Sequence, residues 1–345
     1  MSKAATGHQV SRCYFSLSRR DVLAGIAGAV AYPAVVSSEA MAQAKPVVNV
    51  TLSTPGSAGS IWRAAISSLD PSLSSSFDIN WVAGDPGQMQ VQLAAGSLDV
   101  GVFGAIGLAT LARRGSDITL FGPALNNHGR IIVKADSPFH QPSDLVGKKI
   151  ATQPKTTETY QQARVALSLL GIDIDRDFET IFGPPTANLA LFDRGDVDAV
   201  IVIEPTATRA VGSGARELAK IGDIWRHASG VDAAPFLVGL AAKRTWLDSN
   251  RALATSVARL FAAANGALRD NPNLFIEHAA EMGLRPKETA AINLLPGRLA
   301  DVYPTEWDRS VWNAIDRQIE VAVKLRLLDA APQRPLYDGL ALGKA

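Results

Sequence analysis

Leu93-Ala94-Ala95-Gly96-Ser97-Leu98-Asp99-Val100-Gly101-Val102 and Phe192-Asp193-Arg194-Gly195-Asp196-Val197-Asp198-Ala199-Val200-Ile201 share one grammar. In each a helical stretch stops at Gly, a polar residue and Leu or Val follow, and an Asp precedes an apolar run. Gly stops a helix by taking the left-handed conformation at its end, and a run of Val, Ile and Ala reads as a buried strand. The two glycines lie 99 residues apart, which predicts two similar αβ units in different halves of the chain.

Outward from these joints, strands and helices alternate. Val47–Ser53 is rich in β-branched residues and runs into Thr54-Pro55-Gly56, a strand followed by a turn. Helical spacing of Ile61, Trp62, Ala65 and Ile66 predicts a helix behind it. Ile79–Val82, Val100–Phe103 and Ile118–Ala124 read as further strands. Met89 to Leu93 alternates like a strand, but its residues are mostly good helix formers and Gly96 stands where a cap belongs, so it is read as helix. Arg130–Lys134, Lys149–Thr152, Glu179–Phe182, Ala199–Ile203 and Pro235–Ala242 are predicted strands, and Thr157–Leu170 and Thr186–Arg194 predicted helices. Beyond these the chain reads as helical, with one stripe of Leu253, Val257, Leu260, Phe261, Ala264 and Leu268. Thr305 with Asp308 resembles the cap of another helix. The class is α/β with a helical C-terminal segment.

The first residues read as an address. Ser18-Arg19-Arg20 precedes an apolar stretch from Val22 to Val36, and Ala40-Met41-Ala42 and Ala42-Gln43-Ala44 offer small-x-small cleavage sites. That is the order of a cleavable export signal, here residues 1–44, and the paired arginines point to the twin-arginine route. The stretch is shorter than the ~20 apolar residues of a membrane span. Cleavage would remove four of the 34 Lys+Arg and two of the 33 Asp+Glu, turning a formal charge of +1 into −1. Such a balance steers a protein toward neither nucleic acid nor anionic lipid. Cys13, the sole cysteine, would leave too, and with it any disulfide, thiolate nucleophile or Cys metal site.

Catalytic grammar is missing: the chain has no Gly-x-Ser-x-Gly, His-Glu-x-x-His, Walker loop or Gly-x-Gly-x-x-Gly after a strand, and no cofactor site is read. His128, His140, His227 and His278 are dispersed, and only His128 stands at a plausible strand end. What the chain offers is helix N-termini fed by strands, whose unpaired N–H groups and positive dipole end accept anions. Ser57–Ser60, Gly104-Ala105-Ile106 and Lys155-Thr156-Thr157 are the candidates, each equally readable as an ordinary cap. Trp62 and Tyr160 either wall a pocket or belong to the core.

The order Leu93–Val100, Asp136-Ser137-Pro138, Asp144-Leu145-Val146-Gly147-Lys148-Lys149-Ile150, Leu169-Leu170-Gly171-Ile172, Gly195-Asp196-Val197-Asp198-Ala199 and Glu204-Pro205 resembles the solute-binding proteins of nitrate, sulfonate and taurine ABC importers. The resemblance implies a type II periplasmic binding protein fold, two α/β lobes joined by two crossings around a ligand cleft. Lobe one would be 46–126 plus 233–345, and lobe two 130–232. It implies a periplasmic monomer that is not an enzyme, captures a small organic anion and delivers it to an inner-membrane ABC permease. Ligand contacts are then expected from Ser57, Ser60, Trp62, Gly104, Ala105, Asn127, Thr156, Thr157, Tyr160 and Glu204.

The chain departs from the family in carrying Lys155-Thr156-Thr157 where a Gly-Ser pair often opens the lobe-two helix. Lys155 or Arg130 would neutralise an acid, and Glu204 facing the cleft would favour a ligand with an amine. An aromatic acid or pyrimidine precursor between Trp62 and Tyr160 is the alternative ligand, and a ligand-sensing lobe for a membrane partner the alternative role. Related thiamine-pyrimidine synthases depend on a cysteine-rich motif that this chain lacks.

Overall fold

The computed structural model describes residues 44–230 and 235–340. The twin arginine, Cys13 and the rest of the address at residues 1–43 lie outside them. In chain order the first part is β1 (Val47–Ser53), α1 (Trp62–Ser67), β2 (Asp78–Gly84), α2 (Pro86–Ala95), β3 (Gly101–Phe103), α3 (Ala105–Ala112) and β4 (Ile118–Asn126). The second is β5 (Gly129–Val133), β6 (Lys149–Thr152), α4 (Glu158–Leu169), β7 (Glu179–Phe182), α5 (Pro185–Arg194), β8 (Ala199–Ile203), α6 (Thr206–Gly212), β9 (Arg216–Lys220) and α7 (Ile221–Ser229). The chain continues through β10 (Phe236–Lys243), α8 (Arg244–Ser249), α9 (Arg251–Asp270), α10 (Leu274–Glu277), α11 (Thr289–Leu299) and α12 (Arg309–Lys324).

β1 and β2 pair in parallel, and β10 lies antiparallel between β3 and β4. A parallel bridge from Val50 to Val100 ties these two sheets together. The other lobe is a five-stranded sheet in the order β7-β6-β8-β5-β9. Its central strand β8 is apolar throughout because both faces are covered, and the apolar residues of β5 beside it divide between the same two faces. Ile131, Val133, Ala199 and Ile201 join one core cluster, and Ile132, Val200 and Val202 the other. The fold is α/β, two lobes around a cleft, with a helical C-terminal segment. No helix among the described residues is long and apolar enough to cross a membrane.

The two joints read from sequence have one geometry. Gly96 and Gly195 both take φ 82° and ψ 17°, in the left-handed region. Ser97 N–H and Asp196 N–H then donate to Gln92 and Leu191 carbonyls at 3.0 Å, which satisfies helix-end acceptors. Asp99 Oδ2 accepts the Asn49 amide of β1 at 2.8 Å, and Asp198 Oδ2 the Lys149 amide of β6 at 2.9 Å. Each Asp thus pins its joint to the neighbouring strand.

One local expectation is corrected, and one strand lies where none was read. The cap of α12 is Asp308, whose carboxylate accepts Ser310 and Val311 amides, while the Thr305 hydroxyl bonds Glu306. The strand Arg216–Lys220 was not expected, because its sequence, Arg-Glu-Leu-Ala-Lys, carries charge at three of five positions and forms a sheet edge.

Candidate functional site

Between β4 and β5 the chain crosses from one lobe to the other through Asn127 and His128, and Asn127 N–H donates to the Pro235 carbonyl just ahead of β10 at 2.7 Å. The two crossings therefore lie against each other. Beside them is a cavity of about 50 Å³. Ser53, Ser57, Met89 and Val102 line it from one lobe, and Glu158 and Thr159 from the other. His128 closes it at the crossing.

The decisive contact is at the first turn of α3. Gly104 is its N-cap and has no side chain to accept the Ile106 and Gly107 amides, which a Ser or Asp there would take. Glu158, the first residue of α4, supplies the acceptor from the other lobe. Its carboxylate lies 3.3 Å from Ile106 N and 3.1 Å from Gly107 N. Gln162 Nε2 donates to the same group at 2.9 Å and also to Gln318 Oε1. A Cβ on Gly104 would fall 1.9 Å from Glu158 Cγ, so only glycine admits the carboxylate here. Glu158 is 3% exposed. Burial pushes its pKa up to about 7, against the pull of Gln162, Gly107 and Ile106.

His128 is also buried, and burial drives its pKa down to about 4, with the Arg130 charge acting in the same direction and its bond to the Asn126 carbonyl opposing them. The ring is therefore neutral. Nδ1 lies 2.7 Å from the Asn126 carbonyl and Nε2 has no partner.

The expected ligand residues divide. Ser57 lines the cavity, Gly104 lies against Glu158, and Ala105 begins the buried first turn of α3. Ser60 turns its hydroxyl back to the Ser57 carbonyl at 2.8 Å. Asn127 uses its side chain to accept Gly129 N–H at 3.0 Å, which shapes the crossing. Thr156 is exposed, and Thr157 caps α4, donating to the Pro154 carbonyl and facing Tyr160 N.

Three expectations are corrected outright. Trp62 is a core residue: its ring packs edge-on against Phe261 and its indole N–H donates to Asn265 Oδ1 at 2.9 Å. Tyr160 is core as well, with its hydroxyl on Asp175 and its ring edge-on to Phe182. An aromatic sandwich between the two therefore has no walls. Glu204 is 0% exposed, but its carboxylate is spent on Thr208 N–H, the Thr208 hydroxyl and Arg298 Nη2. Arg130 sits in that same group, 3.5 Å from Glu204 and 3.2 Å from Glu217, and Lys155 pairs with Asp175. Neither cation lines the cavity.

Glu158 was missed because an acid in the first turn of a helix reads as an exposed partner of the dipole. Its burial comes from α3, which lies 50 residues upstream and carries no sequence signal of the approach.

A family model described as the periplasmic substrate-binding protein of phosphonate ABC transporters matches residues 61–242. The chain belongs to this family. The taurine-binding periplasmic protein of Escherichia coli (strain K12) is 32% identical over 130 residues, 37% of this chain. The match spans 39% of that relative's length. The alkanesulfonate-binding protein SsuA from Xanthomonas axonopodis pv. citri, solved with MOPS bound, superposes with a TM-score of 0.65 at 21% identity, covering 85% of this chain and 97% of that one. The desulfurization enzyme DSZB shares the fold at a TM-score of 0.53 and 15% identity, over 84% and 95% of the two chains. At such identities the likeness is one of fold, and any ligand of this chain must be argued from its own cavity.

Proposed function

We propose that the chain is the periplasmic receptor of an ABC importer, which closes its lobes on a small organic acid, a sulfonate or a related one, and hands it to an inner-membrane permease. The observation that carries this reading is the Glu158 carboxylate on the α3 amides. Backbone donors and the helix dipole offset part of the cost of burying an acid group between the lobes there. A solute's acid replaces Glu158 at these amides, and Glu158 withdraws. A cavity of about 50 Å³ is far below the ~300 Å³ at which ligand pockets begin, so binding requires that exchange or a parting of the lobes.

The names of the taurine- and alkanesulfonate-binding relatives support an acid of this kind. In this reading 46–126 with 233–345 and 130–232 are the moving lobes, and the protein is an exported monomer that performs no catalysis. The twin arginine read from the sequence supports the export route.

The test is thermal unfolding of the purified protein against taurine, longer alkanesulfonates, nitrate, aromatic carboxylates, thiamine pyrimidines and a polyamine. A ligand at 100 times its Kd adds about 2.7 kcal/mol of stability. Shifts from sulfonates or carboxylates are expected. A shift from polyamine alone would overturn the reading.

A further inference from the structure

Among the described residues that line the cavity, His128 alone carries a buried side-chain polar atom without a hydrogen-bond partner, and that atom is Nε2. Its chemistry follows from the other side of the ring. The Asn126 carbonyl, 2.7 Å from Nδ1, offers only lone pairs, so Nδ1 must carry the proton. Burial keeps the imidazole neutral, which leaves Nε2 as a bare lone pair. The cavity walls include Val102, Leu125, Ile203, Leu237 and Val238 together with the polar Ser53, Ser57, Gln90 and Thr159, none of which is hydrogen-bonded to Nε2. Glu158 is the charged neighbour in the cavity and is itself an acceptor while ionised.

When the lobes part, water satisfies Nε2. When they close over a solute, that water is lost and Nε2 must find a donor on the solute or stand unpaired. We infer that His128 is the specificity-determining residue of the cleft, selecting an acid whose other end carries a hydrogen-bond donor, a hydroxyl or an ammonium. This rests on the proposed capture of an organic acid. A solute ending in a methyl group would strand the lone pair and bind roughly five- to hundredfold more weakly.

2-Hydroxyethanesulfonate and propanesulfonate isolate the effect, since they share charge and size and differ by a hydroxyl against a methyl. Calorimetric titration of the purified protein at pH 7.5 is expected to give at least a fivefold tighter Kd for the hydroxy compound. In His128→Phe the preference is expected to vanish. Should that variant not fold, the wild-type ratio still decides, together with the ¹⁵N resonance of His128 Nε2. That resonance is expected to move with 2-hydroxyethanesulfonate and stay with propanesulfonate. Equal Kd values, or a preference for propanesulfonate, would overturn the assignment and mean that a retained water satisfies Nε2. If no acid of any kind binds, the capture reading has failed and this inference falls with it. If both sulfonates bind alike, only this inference falls.

Discussion

The Glu158 carboxylate accepts the Gly107 amide at 3.1 Å, so the first residue of one lobe's helix caps the first turn of the other's. The contact places an acid where the proposed solute places its own, and the two compete. Glu158→Ala removes the competitor. The Kd for a sulfonate is expected to fall about tenfold, the equivalent of one charge-assisted hydrogen bond that no longer has to be broken. Titration calorimetry measures it. A weaker Kd in the variant would mean that Glu158 holds the solute directly.

Gly104 makes that cap possible, because a Cβ there falls within 2.4 Å of three Glu158 side-chain atoms. Gly104→Ala is expected to destabilise the ligand-free protein by about 1–3 kcal/mol through overpacking. Paired with Glu158→Ala it should cost much less, since the clash is gone. Urea unfolding of the two single variants and the double variant gives the coupling directly. Additive losses would show that the two residues do not meet.

Trp62 and Asn265 make the corresponding point about the core. Asn265 is fully buried, takes the Trp62 indole N–H, and donates to the Ala124 and Pro304 carbonyls at 2.9 and 2.7 Å. Asn265→Leu strands all three and is expected to cost about 2–5 kcal/mol, with sulfonate affinity of the folded protein unchanged. An affinity loss without a stability loss would return Trp62 to the binding site.

These residues also show what could be read from the sequence. Val47–Ser53, Lys149–Thr152, Glu179–Phe182 and Ala199–Ile203 occupy the expected ranges, because β-branched and apolar runs between turn residues leave little choice. The paired Gly-x-Φ-Asp joints were legible because helix cap and strand anchor are both local. Trp62 was not, since its partner Asn265 is 203 residues away and an aromatic in an amphipathic helix fits a pocket wall as well as a core. Glu204 was read as the cleft acid and Glu158 was passed over for the same reason. Which acid faces the cleft depends on α3 and α11 arriving from distant parts of the chain.

Glu204 is tied to α11 through Arg298 Nη2 at 2.8 Å, and Arg298 reaches Glu217 of β9 at 2.6 Å. Glu204→Ala leaves two guanidinium groups short of a partner in a largely buried place. The expected loss is about 3–5 kcal/mol of stability. Selectivity among sulfonates should be untouched, which a ligand panel on the variant would check. A changed preference for amine-bearing ligands would restore Glu204 to the cleft.

The two buried titrating groups of the cavity give stability opposite slopes against pH. Glu158 has its folded pKa raised from 4.5 to about 7, so its contribution is whole below pH 4.5 and is lost as pH rises through 7. His128 has its folded pKa lowered from 6.5 to about 4, so its contribution is whole above pH 6.5 and is lost as pH falls through 4. No ionised partner shifts Glu158, and Arg130 is the one charge acting on His128. Between pH 4.5 and 6.5 each slope is about 1.4 kcal/mol per pH unit, and the two offset. Glu158→Gln removes the falling slope. Relative to the wild type, its unfolding free energy is therefore expected to climb with pH across this window, by on the order of 3 kcal/mol in all. Urea unfolding at pH 4.5, 5.5 and 6.5 measures the difference, and titrating groups common to both proteins drop out of it. A difference that stays flat would mean that Glu158 is ionised in the folded protein throughout, with its carboxylate held by the α3 amides more strongly than burial opposes it.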